Sequence, residues 1–152
     1  MATFPISFRS DSDRIHGEHK ALVAELAAFQ SALEDLAFSD QVFANLYSAD
    51  RIAHHGRRLA SLLPEHFQHE ETTLLPTVSH VSPELEEFAR EICHEHQQIR
   101  QRLSEFCRAL GRREAGDDVA EAVNAVKQSG RTLAHDLSAH LALEESQLDG
   151  FL

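Results

Sequence analysis

The chain has no tryptophan, two cysteines, one tyrosine, one methionine, four prolines and six glycines. Each scarcity excludes something. Two cysteines build no disulfide framework, and they form no CxxC pair. Cys93 and Cys107 lie fourteen residues apart on one expected helix. At 1.5 Å per residue that is about 21 Å, too far for a disulfide, so they read as buried or half-buried thiols in a reducing compartment. No run of about 18 apolar residues exists to cross a membrane. The start, Met-Ala-Thr-Phe-Pro-Ile-Ser-Phe, has neither a basic beginning nor a long apolar stretch, so a cytoplasmic protein without a signal peptide is expected. Lysine and arginine number 14 against 25 acidic residues, for a net charge of −11. That sign disfavours nucleic acid and anionic membranes as partners.

Histidine, by contrast, is abundant at 11 residues. The 152 residues, 42% hydrophobic and 26% charged, suit a single domain over 1–152 with one core. Long stretches show helical periodicity. Helix one starts in the polar cluster Ser10-Asp11-Ser12-Asp13 and runs to about Ala37, with the stripe Ile15, Leu22, Leu26, Phe29, Leu33. Helix two runs from about Gln41 to Leu75, its later stripe reading Leu59, Leu62, Thr73. Pro64 removes a backbone donor there and is expected to kink or bulge it. After a loop from Pro76 to Ser82, Ser82-Pro83 caps helix three, which runs to about Arg113 on Ala89, Ile92, Ile99, Leu103, Phe106 and Leu110. Asp118 and Glu121 make a capping-box pattern for helix four, which runs to about Leu148 on Val119, Val123, Val126, Leu133, Leu137 and Leu148. Four long helices with short connections give an all-α, up-down-up-down antiparallel four-helix bundle. Residues 1–10, with Phe4, Ile6 and Phe8, are expected to form a short N-terminal arm.

Each stripe skips a turn, and the residues in the gaps are polar. His19 lies between Ile15 and Leu22. His66 and Glu70 follow Leu62. His96 lies between Ile92 and Ile99, and His140 and Glu144 lie between Leu137 and Leu148. Residues four apart share a helix face, so His66/Glu70 and His140/Glu144 each aim two donors at one point. A single core histidine is ordinarily a hydrogen-bonded structural residue. Four imidazoles and two carboxylates on four core faces need common partners, because an unpaired buried carboxylate costs several kcal/mol. A metal cluster satisfies all six.

The chain also repeats itself. His66-Phe-Gln-His-Glu70-Glu71 and His140-Leu-Ala-Leu-Glu144-Glu145 both read HxxxEE, 74 residues apart. Glu18-His19 and Glu95-His96, each followed three residues on by an aliphatic residue, lie 77 apart. Two hairpins of one design, packed about a pseudo-twofold, would bring two three-ligand half-sites together as a dinuclear centre.

This pattern of EH, HxxxEE, EH, HxxxEE resembles the hemerythrin-like, or HHE cation-binding, domains, and the resemblance covers Ile15 to Glu145. It implies a non-haem centre of two iron ions with carboxylate bridges. His19, His66, His96 and His140 would be terminal ligands, and Glu70 and Glu144 bridges. Two departures separate the chain from the oxygen carriers of that family. They place a second histidine four residues before the one on helix three, where this chain has Ile92, and their helix four reads HxxxxD rather than HxxxE. The chain is thus similar to the four-histidine, two-glutamate branch, which includes proteins linked to iron–sulfur repair, nitric oxide and iron handling.

Four imidazoles and two bridging carboxylates supply about 8 donors, whereas two octahedral irons want about 12. An oxo or hydroxo bridge fills one position on each, leaving about one apiece for O2, NO, peroxide or water. Reversible O2 carriage is therefore less expected than sensing, reduction or metal handling. Zinc or manganese are the alternatives, and the same donors would close two tetrahedral zinc sites. Such a protein would be a monomer or homodimer, and a metal-storage or structural bundle without redox chemistry is the rival function. The residues leave open whether it is an enzyme.

His16, one turn before His19, and His69, beside Glu70, are the two further histidines placed to add or support a ligand, with His69 otherwise facing solvent. His55 belongs to another layer, while His54, His80, His94 and His135 read as solvated. Glu71 and Glu145 read as supporting or surface residues. A ferritin-type ExxH occurs once, at Glu91-Ile-Cys-His94, where two are needed. HExxH, a Gly-rich phosphate loop and GxSxG are all absent.

Overall fold

The computed structural model describes residues 6–38, 42–116 and 118–148. Four long helices form the expected antiparallel bundle. They are α1 (Ile6–Phe38), α2 (Val42–His69), α4 (Pro83–Glu114) and α5 (Val119–Leu148). A π-helical turn, Glu70–Leu74, extends α2 into a short α3 (Leu75–Ser79). α1 pairs chiefly with α2, and α4 with α5, so the bundle is two helix hairpins packed together. Both expected caps are made. The Ser82 hydroxyl accepts from the Leu85 N–H at 3.2 Å, and the Asp118 carboxylate from the Glu121 N–H at 3.0 Å. Gly116, at φ +81°, supplies the left-handed residue that ends the α4 connection. Among the described residues no helix is long and apolar enough to cross a membrane.

Several local expectations are corrected. α1 begins at Ile6, so residues 6–10 of the expected arm are helical, and Phe4 lies outside the described residues. Pro64 does not bulge α2, which stays α-helical from Val42 to His69. It sits on the exposed face, and the widening comes later, where the Leu75 N–H reaches back five residues to the Glu70 carbonyl. The Thr72 and Thr73 hydroxyls donate to the Gln68 and His69 carbonyls at 2.8 and 2.5 Å across this turn. The extra residue shifts the register, so Leu74 and Leu75 are buried and Thr73 is only half-buried. Pro76–Ser79, expected as loop, is helical because proline is tolerated in a first helical turn. Leu63 takes the core position assigned to Leu62, Val119 is 59% exposed, and Cys107 is exposed.

Among the described residues the apolar core is in two pieces. The larger cluster, from Leu22 through Phe29, Leu59, Phe67, Ile99, Phe106 and Val126 to Leu141, fills most of the bundle. The smaller one, built on Ile15, Leu74, Val78, Phe88, Ile92 and Leu148, closes one end. His19, His66, Glu70, His96, His140 and Glu144 occupy the layer between them. In the large cluster Phe29 and Phe106 meet edge-to-face, their ring centroids 5.3 Å apart. A Cβ on Gly56 would lie 2.2 Å from Phe106 Cε1, and that ring is fully buried.

Gly56→Ala should therefore lower stability by about 1–3 kcal/mol through overpacking, despite alanine's better helix propensity. Gly111→Ala, in the same fold with nothing within 4 Å of its added Cβ, should raise stability by about 0.5–1 kcal/mol. Urea denaturation of the two variants checks the contrast, and equal effects would contradict the packing.

Candidate metal centre

All six polar residues read from the stripes converge in one layer. His19 is 7% exposed and the other five 1% or less. One ligand atom each of Glu70, His96, His140 and Glu144 lies within 4.8 Å of the others. His66 Nε2 approaches Glu70 Oε1 at 3.0 Å, and His19 Nε2 lies 3.8 Å from Glu144 Oε2. Both carboxylates reach across the hairpins. Glu70 meets His66 of its own hairpin and His96 of the other at 3.4 Å. Glu144 meets His140 at 2.6 Å, His96 at 3.6 Å and, in the other hairpin, His19.

A second ring of carboxylates lies outside the first. His66 Nδ1 faces Glu18 Oε1 at 3.4 Å, His96 Nδ1 faces Glu71 Oε1 at 2.8 Å, and His140 Nδ1 faces Glu95 Oε2 at 3.1 Å. A carboxylate only accepts, so each of these Nδ1 atoms carries the proton and donates it. The Nε2 of a neutral ring then offers a lone pair toward the central carboxylates. Acceptor faces acceptor. The consequence is visible in seven buried side-chain atoms that have no hydrogen-bond partner among the described residues: Nε2 of His19, His66, His96 and His140, Oε1 of Glu70, and both oxygens of Glu144. Such atoms are rare in folded proteins, and here all seven belong to these six residues. Protonating the rings relieves the opposition, and so does a cation placed between the groups. Imidazole nitrogen and carboxylate oxygen are a donor set that suits iron, zinc or manganese.

Without a cation the charges settle as ion pairs. Burial resists charging of His96, but Glu144, Glu70 and Glu71 outweigh it and raise its pKa to about 9. His66 and His140 are raised against burial in the same way, chiefly by Glu70 and Glu144 respectively. Burial lowers His19, with Glu144 pulling the other way. Burial also opposes ionisation of Glu144, yet His140 and His96 hold it below the usual carboxylate range.

Of the two additional histidines, His16 is exposed on α1 beside His19. His69 is half-buried rather than solvated, with its Nδ1 2.8 Å from Glu18 Oε2. His55 lies in another layer, as expected, 2.6 Å from Glu25. Arg100 was not singled out by the sequence. Its guanidinium grips Glu71 through two bonds of 2.9 and 3.1 Å and lies 5.5 Å from the centroid of the Phe67 ring, which stacks on His96 at 3.9 Å. The repeated EH pairs carried a signal for Glu18 and Glu95. Arg100 has no counterpart in the repeat, since Val23 stands in the equivalent place.

The raised His96 pKa stabilises metal-free protein fully below about pH 6.5, the ordinary histidine value, and this contribution is lost as pH rises through about 9. It amounts to at most about 3 kcal/mol. Metal-free protein should thus lose urea resistance between pH 7 and 10 more steeply than metal-loaded protein, in which a cation replaces the proton. Parallel slopes with and without chelator would refute this.

Comparison with known proteins agrees with the geometry. No curated protein and no solved structure matches the chain. The family model described as the hemerythrin HHE cation binding domain matches residues 10–151. That match spans all four helices of the bundle and all six residues of the buried cluster, and the chain belongs to the hemerythrin HHE cation-binding family.

Proposed function

We propose that His19, His66, Glu70, His96, His140 and Glu144 ligate two iron ions joined by an oxo or hydroxo bridge, and that the centre responds to O2, NO or peroxide. The observation that carries this reading is the set of seven buried polar atoms that face one another without hydrogen-bond partners among the described residues. The four imidazoles would hold the ions as terminal ligands. Glu70 and Glu144, each touching imidazoles of both hairpins, suit the bridging role. Glu18, Glu71 and Glu95 fix the proton on Nδ1 and so turn each Nε2 inward. The apolar clusters above and below keep bulk water out. Iron, when bound, supplies one-electron redox chemistry and positions open to a small ligand. Ile92, wholly buried one turn before His96, stands where the oxygen carriers have a further histidine, which favours the four-histidine, two-glutamate branch over oxygen carriage.

A second reading is a metal store or structural metal bundle filled by zinc or manganese. The near-complete burial of the six residues favours it, since a closed site needs no access and the donors suffice for two tetrahedral ions.

Iron-loaded protein should hold about two irons per chain and show oxo-bridge bands in the near-UV and visible spectrum that change on adding NO or O2. Under one iron per chain with no such bands would reject the diiron reading, and zinc in protein made without added metal would support the second. Glu144→Gln should abolish loading of the second ion. Glu95→Gln, which removes a support rather than a ligand, should weaken metal affinity by about 10–100-fold. A metal-free bundle would instead leave the stability of His66→Ala unchanged or raised.

A further inference from the structure

The internal repeat makes the two halves of the centre comparable residue by residue. At the 77-residue offset, His19 corresponds to His96 and Val23 to Arg100. At the 74-residue offset, Glu145 corresponds to Glu71 and Leu141 to Phe67. The His96 corner is closed. Glu71 hydrogen-bonds to His96, Arg100 clamps both oxygens of Glu71, and Phe67 stacks on the imidazole. At the His19 corner every one of these supports is missing among the described residues. Valine replaces the arginine, leucine replaces the phenylalanine, and Glu145 is exposed with no hydrogen bond to His19.

A groove of about 350 Å³ lies on the surface there, lined by His16, His19, Lys20, Val23, Ala24 and Ala27 of α1 and by Glu145 of α5. His19 belongs to both places. Its ring lines the groove, while its buried Nε2 faces Glu144 without a hydrogen-bond partner. It is also the most exposed of the six residues.

We propose that small neutral molecules reach the centre through the His19 corner, along this groove of α1, and that Arg100 shuts the opposite corner. The proposal rests on the metal-centre reading above. Val23, Ala24 and Ala27 give the groove an apolar wall, suited to an uncharged molecule of two or three atoms. Lys20 and Glu145 at its sides leave it without a strong excess of either charge.

Val23→Arg copies the closed corner onto the open one, because the new guanidinium can pair with Glu145 as Arg100 pairs with Glu71. Ala27→Phe fills the groove by bulk alone. Ser104→Phe, at the exposed position of α4 equivalent to Ala27, is the control. In iron-loaded, reduced protein, Val23→Arg and Ala27→Phe should each slow NO binding in stopped-flow by about tenfold or more, with iron content as in the parent. Ser104→Phe should leave the rate unchanged. Parent-like rates in both groove variants, or slowing only in Ser104→Phe, would overturn the entry route. If the protein takes up no iron or ignores NO, the metal-centre reading fails separately. The route is then judged in metal-free protein by diethyl pyrocarbonate labelling read by mass spectrometry. His19 should react ahead of His96 and be protected in Val23→Arg. Equal labelling of the two, or no protection, would refute the proposal without reference to iron.

Discussion

The structure depends on an arrangement that is repulsive when left alone. Three imidazoles are held in one tautomer by carboxylates outside them, and their inner nitrogens point at two further carboxylates. Lone pairs facing lone pairs in a nearly dry layer cannot be a source of cohesion. The bundle tolerates the layer because apolar packing on both sides holds the helices in register. It gains from the layer only when positive charge, as protons or as a cation, sits among the six groups. Folding strength and the buried polar layer are therefore separated in space along the same helices.

Much of this could be read in the sequence, for a definite reason. A four-helix bundle turns a periodic apolar stripe directly into burial, so His19, His66, Glu70, His96, His140 and Glu144 were visible as polar breaks in apolar rows. The caps at Ser82 and Asp118 follow local rules and were equally plain. What escaped depends on tertiary position. The π turn at Glu70–Leu74 moves the buried face from Thr73 to Leu74 and Leu75, and no stripe of constant period anticipates such a step. Nothing local marks Arg100, whose role depends on Glu71 and Phe67 lying beside it in the fold. His69 looked like a surface residue until Glu18 of α1 arrived next to it.

The repeat is at once the clearest sequence signal and an incomplete one. It conveys the inner residues faithfully, and it carries the outer carboxylates Glu18 and Glu95 as well. It breaks around them, where Arg100 has Val23 as its counterpart in the repeat and Phe67 has Leu141. The two halves thus share donors but differ in how firmly those donors are held and how well they are shielded. A repeated inner set of imidazoles and carboxylates in an asymmetric surround makes the two halves distinguishable, and the difference resides in residues outside that set.

The division of the apolar core has a further consequence. Among the described residues the cluster of Ile15, Leu74, Leu75, Val78, Phe88, Ile92 and Leu148 is small and terminal, and the polar layer lies between it and the larger cluster. Cohesion across that seam comes from whatever charge is lodged in it rather than from oil-like contact. The end of the bundle built on α3 and the last turn of α5 is therefore packed separately from the larger core. Amide exchange there would report occupancy of the seam, while the helices around Phe29 and Phe106 would report the fold as a whole.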